Sequence, residues 1–129
     1  MKIIFWNARG ILKKKARNRL KRLVRKYNPD LVGIVEPKIS TDRISPNMLI
    51  ALGLNGKIIS NGSSEHLANI WILWADRMQE PNIIAWSKQQ ITVGVEGNVV
   101  TMVHARSLRE KGRLYGRNSK IKILYSHGQ

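Results

Sequence analysis

A chain of 129 residues is long enough for one domain with a buried core and too short for two ordinary ones. Hydrophobic residues make up 43% of it, which favours a folded protein over a disordered one. The 23 Lys and Arg against 8 Asp and Glu give a formal net charge of +15, which favours a polyanionic partner, nucleic acid first and an anionic membrane surface second. Cysteine is absent, so disulfides and thiolate metal sites are excluded.

The apolar stretches are short. Met1–Trp6 has a basic start but few apolar residues before Asn7, and the longest later run, ANIWILWA, is far below the roughly 20 residues of a membrane helix. The sequence therefore predicts a soluble, intracellular protein that is not secreted and has no transmembrane segment, with nucleic acid and no membrane as its expected partner.

The first 35 residues contain a strand, a helix and a second strand. Lys2–Asn7 is β-branched and aromatic, which is typical of a strand buried on both faces. The stretch KKKARNRLKRLVRKYNPD has apolar residues at helical spacing, and Asn28 with Pro29 should end that helix. Leu31–Val35 is a second apolar run. This order predicts a βαβ unit with parallel strands.

The remaining elements are shorter. Ser45 and Pro46 resemble a helix N-cap and first turn, which predicts a short helix over Asn47–Leu52 closed at Gly53. Short strands are then predicted at KIIS, NIWILWA, IIAW, QITVGVE and NVVTMVHA. Glu96–Asn98 is a hairpin turn signal. RSLREKGRLYGRN indicates a weak helix, and KIKILYSHGQ either one final strand or a frayed tail.

Polar residues end both strands of the predicted βαβ unit. Because parallel neighbours place their carboxyl ends at one sheet edge, Asn7 and Glu36 should lie close together there. Carboxamide and carboxylate oxygens suit Mg²⁺ or Mn²⁺, and the Arg9 guanidinium matches a phosphate. The alternative is that these polar residues mark only where the chain leaves the core. Glu36 favours the metal site, because a partly buried carboxylate without a partner is costly.

The predicted helix is very basic. Nine cations fall within fourteen residues, with no acidic residue among them to form i,i+4 pairs: Lys13, Lys14, Lys15, Arg17, Arg19, Lys21, Arg22, Arg25 and Lys26. They form either a solvated face or a surface for phosphate contact or nuclear import. The candidate nucleic-acid-binding residues are Arg9, Lys13, Lys14, Lys15, Arg17, Arg19 and Arg22.

Other candidate residues have simpler interpretations. His104 ends the strand VVTMVHA, where it is either a core histidine or a group that donates to phosphate and moves protons near neutral pH. His66 and His127 are predicted at the surface, and the tryptophans in core or sheet packing. The triplet beginning at Asn61 fits a glycosylation sequon, which has no meaning without a secretory signal.

WNARG, the R-x-x-L-x-x-L-V helix and YNPDLVGIVEPKI together resemble the start of the endonuclease/exonuclease/phosphatase superfamily. The resemblance is greatest to the apurinic-endonuclease-like domain that begins the polyproteins of plant non-LTR (LINE-type) retroelements, and it extends to NIWILWAD and TMVHARSLREKGRLYG. It implies a Mg²⁺- or Mn²⁺-dependent site for phosphodiester hydrolysis that contains Asn7 and Glu36. At the strand end that carries His104, apurinic-type members have a tyrosine and DNase I-like members a histidine, both close to the scissile phosphate.

The resemblance also implies what is missing. The family's Asp-x-Asn and Asp-His pairs, which orient and activate the attacking water, have no counterpart after His104. We therefore expect one domain over residues 1–129, truncated at its carboxy terminus. The expected fold is an incomplete four-layer α/β-sandwich, with one mixed β-sheet, outer helices and an exposed inner face through which the chain could self-associate.

Two functions remain open from the sequence. The first is an inactive remnant of a Mg²⁺-dependent endonuclease from a retroelement, and the second is a non-catalytic basic module that binds nucleic acid. Either function implies DNA as the partner, and the basic helix is compatible with a location in the nucleus.

Overall fold

The computed structural model describes residues 1–105 and 121–127, which form two four-stranded sheets and two α-helices. In chain order the elements are β1 Ile3–Asn7, α1 Lys14–Tyr27, β2 Leu31–Val35, a 3₁₀ turn Thr41–Arg43, α2 Pro46–Ala51, β3 Ile59–Ser60, β4 Ile70–Trp74, β5 Asn82–Ser87, β6 Gln90–Val95, β7 Asn98–Ala105 and β8 Ile121–His127. The α/β class expected from the sequence is confirmed.

The first sheet has the order β1-β2-β4-β3 and contains the predicted βαβ unit. β1 and β2 are connected by α1 and pair directly in parallel, and β4 pairs antiparallel with β2 and β3. The buried residues of α1 are Ala16, Leu20 and Val24, which pack in a cluster with residues of this sheet. The helix ends where predicted, because Asn28 adopts a left-handed conformation with φ of 45° and donates its N–H to the Val24 carbonyl.

The short helix and the hairpin also form where predicted. Pro46 begins α2 and Ser45 is its N-cap, although the Ser45 side chain makes no capping hydrogen bond. Glu96 and Gly97 connect β6 to β7 with φ of 48° and 80°. Positive φ at both central residues is the type I′ arrangement that matches the twist of a hairpin.

The expectation of one mixed sheet with an exposed inner face is wrong, because β5 to β8 form a second sheet of order β5-β6-β7-β8. β4 is buried along its whole length, whereas β6 alternates, with Ile91, Val93 and Val95 buried between more exposed neighbours. A strand with one apolar face must cover another apolar surface. The second sheet therefore packs on the first, and self-association through an open inner face finds no support.

The residues between the two sheets form one hydrophobic cluster. The first sheet contributes Leu31, Ile59, Ile70, Ile72 and Trp74, and the second contributes Ile91, Val93, Val95, Val100 and Met102. The second sheet also combines antiparallel pairs with a parallel β7-β8 pair. KIKILYSHGQ contains strand β8, which agrees with the first of the two predictions for this segment. The weak helix predicted at RSLREKGRLYGRN lies outside the described residues.

The tryptophans differ in burial. Trp71 and Trp74 are 1% exposed, in agreement with the core positions predicted for them, and Trp6 is half-buried. The prediction is wrong for Trp86, which is 52% exposed because all of β5 is exposed at the edge of the second sheet. Among the described residues, no helix is long and apolar enough to cross a membrane.

An ion pair between Asp30 and Arg77 connects the segment after α1 to the loop after β4. The Lys2 backbone N–H donates to Asp30 Oδ2 at 2.7 Å, and Arg77 Nη2 lies 2.8 Å from Asp30 Oδ1. The same guanidinium donates to the carbonyls of Asn28 and Pro29. The Lys2 hydrogen bond and then the Arg77 charge hold the pKa of Asp30 below its usual value, against the opposing effect of desolvation.

We expect Asp30→Asn to lower the free energy of unfolding at pH 7 by about 1 kcal/mol, the range of a partly exposed ion pair. A depressed folded-state pKa stabilises the protein above the unfolded value of about 3.9, and this stabilisation is lost as the pH falls through the folded-state pKa. Urea unfolding of both proteins between pH 7 and pH 3 should show their difference shrinking below about pH 4. The exposed Glu65→Gln variant is the control, and a difference that stays constant down to pH 3 would contradict the assignment.

Candidate active site

Asn7 and Glu36 lie side by side at the carboxyl ends of β1 and β2. The parallel register pairs Asn7 with Val35, so Glu36 is the first residue beyond the paired segment. Asn7 Nδ2 donates to Glu36 Oε2 at 3.2 Å, and the Glu36 side chain is 24% exposed. Asn7 Oδ1 accepts the backbone N–H of Arg9 at 3.0 Å. The carboxamide therefore orients the carboxylate and the following turn together.

His104 reaches the same carboxylate from the second sheet. It lies near the end of β7, and its backbone N–H donates to the Gln89 carbonyl at 2.8 Å. Its Nε2 lies 3.4 Å from Glu36 Oε2, and its side chain is 9% exposed. The structure thus brings together all three residues that the sequence offered as catalytic candidates. Their meeting depends on the packing of the two sheets, which the sequence did not predict.

The backbone around this cluster is strained. Arg9, Glu36 and Lys38 adopt positive φ values of 50°, 54° and 63°, in the left-handed region that non-glycine residues rarely occupy. Each such residue costs about 1–3 kcal/mol and persists only where its surroundings hold it. The Gly10 N–H donates to the Glu36 carbonyl at 2.9 Å and helps to hold these two turns together. Strain of this kind concentrates at functional sites, which supports a functional role for the cluster.

A cavity of about 290 Å³ opens beside the carboxylate and is lined by Asn7, Arg9, Lys13, Glu36 and Lys38. Lys38 Nζ lies 4.0 Å from Glu36 Oε1. Three cations facing one carboxylate make this cavity suited to an anion such as phosphate. Arg9 and Lys13 were predicted from the sequence but Lys38 was not, since its only signal is its position two residues after Glu36.

The other predicted nucleic-acid-binding residues lie on α1 beyond this cavity: Lys14, Lys15, Arg17, Arg19 and Arg22. All of them are exposed except Arg17, which is half-buried. The structure therefore separates the predicted set into a group at the cavity and a group along the helix.

A second cavity, of about 620 Å³, is lined by His66, Leu67, Asn69, Lys88, Gln89 and His104. His104 lines this cavity and Glu36 lines the first, so the contact between these two side chains lies between the two cavities. His66, predicted at the surface, is half-buried beside this cavity, with Nδ1 2.8 Å from Ser63 Oγ. The side chain of His127 lies outside what the structure describes.

Asn61 supports the site indirectly, through residues that contact Glu36 and His104. The sequence did not predict this role. The Asn61 side chain is fully buried, and its Oδ1 accepts the backbone N–H groups of Asn69 and Ile70, each at 3.0 Å. Its Nδ2 lies 3.1 Å and 3.2 Å from the carbonyls of Ser87, at the end of β5, and Lys88, in the turn between β5 and β6. The glycosylation sequon at Asn61 does not indicate this bridge, because an exposed asparagine and a buried one have the same sequence pattern.

The donor set fits a divalent cation that shares its coordination shell with other oxygens. Mg²⁺ takes one or two protein carboxylates and completes its shell with water and phosphate oxygens. Glu36 supplies a carboxylate, and the second lone pair of Asn7 Oδ1 supplies a carboxamide oxygen. Within residues 1–105 and 121–127, no three His, Cys, Asp or Glu side chains group as a metal site. The fit is therefore to a cation held by a single carboxylate together with a bound phosphate.

No protein-family model matches the sequence, and no curated protein matches it. Solved structures do resemble the fold. The 3′ phosphatase NExo from Neisseria, as a D146N variant bound to a product DNA hairpin, is 20% identical with a TM-score of 0.58, covering 80% of this chain and 40% of that one. An AP endonuclease from Archaeoglobus fulgidus is 15% identical with the same TM-score and coverage.

A third similar structure, the AP endonuclease LMAP from Leishmania major, is 15% identical with a TM-score of 0.53, covering 79% of this chain and 38% of that one. The fold of this chain is therefore the α/β fold of exonucleases and AP endonucleases. The chain spans about two fifths of the length of the nucleases it resembles.

Proposed function

We propose that this chain belongs to the endonuclease/exonuclease/phosphatase superfamily and carries the metal- and phosphate-binding part of a phosphodiester-hydrolysing site. The observation that carries the proposal is the cluster of Asn7, Glu36 and His104, joined by hydrogen-bond and ion-pair distances at the edge of a sheet. A cationic cavity beside it and strained backbone around it support the same interpretation. The DNA hairpin bound by the similar Neisseria protein supports DNA as the ligand class.

The residues would divide the chemistry as follows. Glu36, oriented by Asn7, would hold Mg²⁺ or Mn²⁺, which when bound neutralises charge on a phosphoryl oxygen. Arg9, Lys13 and Lys38 would bind the phosphates on the same side. His104 lies beside Glu36, with its Nε2 3.4 Å from Glu36 Oε2. When protonated, the His104 ring would donate a hydrogen bond to an oxygen of the bound phosphate.

We further propose that these 129 residues bind phosphodiesters without hydrolysing them. Hydrolysis needs a water that is positioned and deprotonated, and positioning with electrostatic stabilisation supplies most of the rate. In the contacts of the described cluster, Glu36 is the one acidic side chain, and it is already engaged by Asn7, His104 and Lys38. The retroelement origin and the nuclear location of a chain with this basic helix remain predictions from the sequence.

Mn²⁺ binding tests the proposed site directly. Free Mn²⁺ measured by electron paramagnetic resonance should decrease on addition of the protein, and Glu36→Gln should weaken the binding at least about tenfold, since it replaces the carboxylate of the described cluster with a neutral amide. Glu80→Gln is the matched control, because Glu80 is an exposed acid paired with Lys57 far along the chain. Equal Mn²⁺ affinity in the wild type and the Glu36 variant would overturn the metal assignment.

A plasmid assay tests the absence of hydrolysis separately. Supercoiled DNA incubated with the protein and Mg²⁺ should remain supercoiled. Nicking that disappears in Glu36→Gln would show that the chain is a complete nuclease and would contradict the second proposal while supporting the first.

A non-catalytic nucleic-acid-binding module is the second candidate function, and the outer face of α1 favours it. The helix contains no acidic residue between Lys14 and Tyr27, and its last turn carries Arg25 and Lys26. Such a face binds phosphates through counterion release, with little dependence on sequence. The two functions are compatible, since the helix begins next to the cavity that contains Glu36.

A further inference from the structure

The second half of α1 forms a groove that the proposed active site does not use. A cavity of about 270 Å³ is lined by Arg19, Arg22, Leu23, Lys26 and Tyr27, and we call it the tyrosine groove. These positions are three or four residues apart along the helix, so they share one face. Along the helix axis, Tyr27 lies about 20 Å from Lys13 and the cavity at Glu36, and Arg19 at the near end of the groove lies about 9 Å from Lys13.

The chemistry of the tyrosine groove combines positive charge with an accessible aromatic ring. Its three cations are exposed, and no acidic residue of α1 neutralises them. Tyr27, the last residue of the helix, is 43% exposed. Lys26 Nζ lies 5.2 Å from the centroid of its ring, a cation–π contact that holds the ring beside the charges.

The packing of α1 argues against a lipid surface as the occupant. An amphipathic helix binds a membrane by inserting its apolar face into the headgroup region. The apolar face of α1 is already buried in the core, with Leu20 1% and Val24 5% exposed. The groove itself presents three cations, one ring and the partly buried Leu23, and that combination matches a strand whose phosphates alternate with unpaired bases.

We propose that the tyrosine groove binds single-stranded nucleic acid, with its cations on phosphates and one base stacked on Tyr27. Stacking requires an unpaired base, so a duplex of the same charge gains only the phosphate contacts. The inference extends the nucleic-acid-binding role proposed for α1 and does not depend on a metal site at Glu36.

An abasic oligonucleotide separates stacking from charge. Fluorescence anisotropy with a labelled 20-mer of deoxythymidine and with an abasic strand of equal length and charge should show at least about fivefold tighter binding of the first, the lower range for one stacked base. Tyr27→Ala should abolish this preference while leaving the abasic affinity unchanged. Tyr27→Trp should retain it, which also shows that the helix end tolerates substitution.

Two controls identify the surface. Among the described residues, Trp86 is the other strongly exposed aromatic side chain, and Trp86→Ala should keep the preference. The preference should also persist in EDTA, which distinguishes this groove from the metal site. Loss of the preference in the Trp86 variant but not in the Tyr27 variant would overturn the proposal. So would equal binding of duplex and single strand, or stronger binding to phosphatidylserine vesicles than to the oligonucleotide.

Discussion

Replacement of Asn61 by alanine should lower the free energy of unfolding by about 3 kcal/mol. The variant leaves the backbone N–H groups of Asn69 and Ile70 without the Asn61 Oδ1 that accepts both of them at 3.0 Å. A buried polar group without a partner costs about 1–3 kcal/mol. The loss of Nδ2, which lies 2.6 Å from Asn69 Oδ1, adds to this effect.

The same substitution should lower the Mn²⁺ affinity of the proposed metal site, although Asn61 does not hydrogen-bond to Glu36 or His104 directly. Glu36 is positioned partly by its N–H, which donates to the Asn69 carbonyl at 2.9 Å. His104 depends on the Gln89 carbonyl, and Gln89 follows directly on the Lys88 carbonyl to which Asn61 is bonded. Because Asn61 connects both supports, its removal should loosen the Glu36–His104 contact and reduce Mn²⁺ affinity.

Urea unfolding and Mn²⁺ titration check the two effects of the Asn61 substitution. Asn55→Ala is the matched control, since Asn55 also makes side-chain hydrogen bonds, to Lys57 and Asp76, but in exposed surroundings where water replaces them. It should cost less than about 1 kcal/mol. Equal losses in the two variants would show that the buried bridge has no special role.

Replacement of Gly33 by valine should cost about 3 kcal/mol, near the upper range for overpacking a core. Gly33 lies in the middle of β2, opposite Met102 of the second sheet. A Cβ at this position would overlap Met102 Sδ and lie 2.7 Å from Phe5 Cδ1. The absence of a side chain at residue 33 is what allows Met102 to pack between the sheets.

Gly94→Val provides the control for the Gly33 variant, because the closest atom to a Cβ there is the flexible tip of Ile84 at 3.3 Å and the Asn98 carbonyl lies at an ordinary contact distance of 3.9 Å. It should change the stability by less than about 1 kcal/mol. Combining Gly33→Val with Met102→Ala should give a smaller loss than the sum of the single losses, since the smaller residue makes room for valine. Strict additivity in urea unfolding would contradict the steric explanation.

The amino-terminal elements were predictable because local signals agree there. Apolar residues at helical spacing define α1, Asn28 ends it, and the continuous apolar runs before and after it become β1 and β2. The polar residues at the ends of those strands then meet through parallel pairing, which follows from the length of the connecting helix. Asn7 and Glu36 therefore lie together as the sequence indicated.

The number of sheets was not predictable in the same way. A row of short strands gives no local sign of where the chain leaves one sheet for another, and β4 and β6 differ only in whether one or both faces are apolar. Trp86 shows the same limit, since its strand is apolar in sequence yet lies exposed at an edge. Burial depends on the neighbours that the tertiary structure provides.

The sequence by itself determined the parallel βαβ unit, the basic outer face of α1 and the pair formed by Asn7 and Glu36, because each follows from residues close in sequence or from one helical connection. The tertiary structure alone decided that His104 contacts Glu36, that Asn61 bridges the two sheets and that Gly33 must lack a side chain. These contacts join residues of different sheets. Their geometry is set by how two apolar surfaces pack, and no local pattern specifies it.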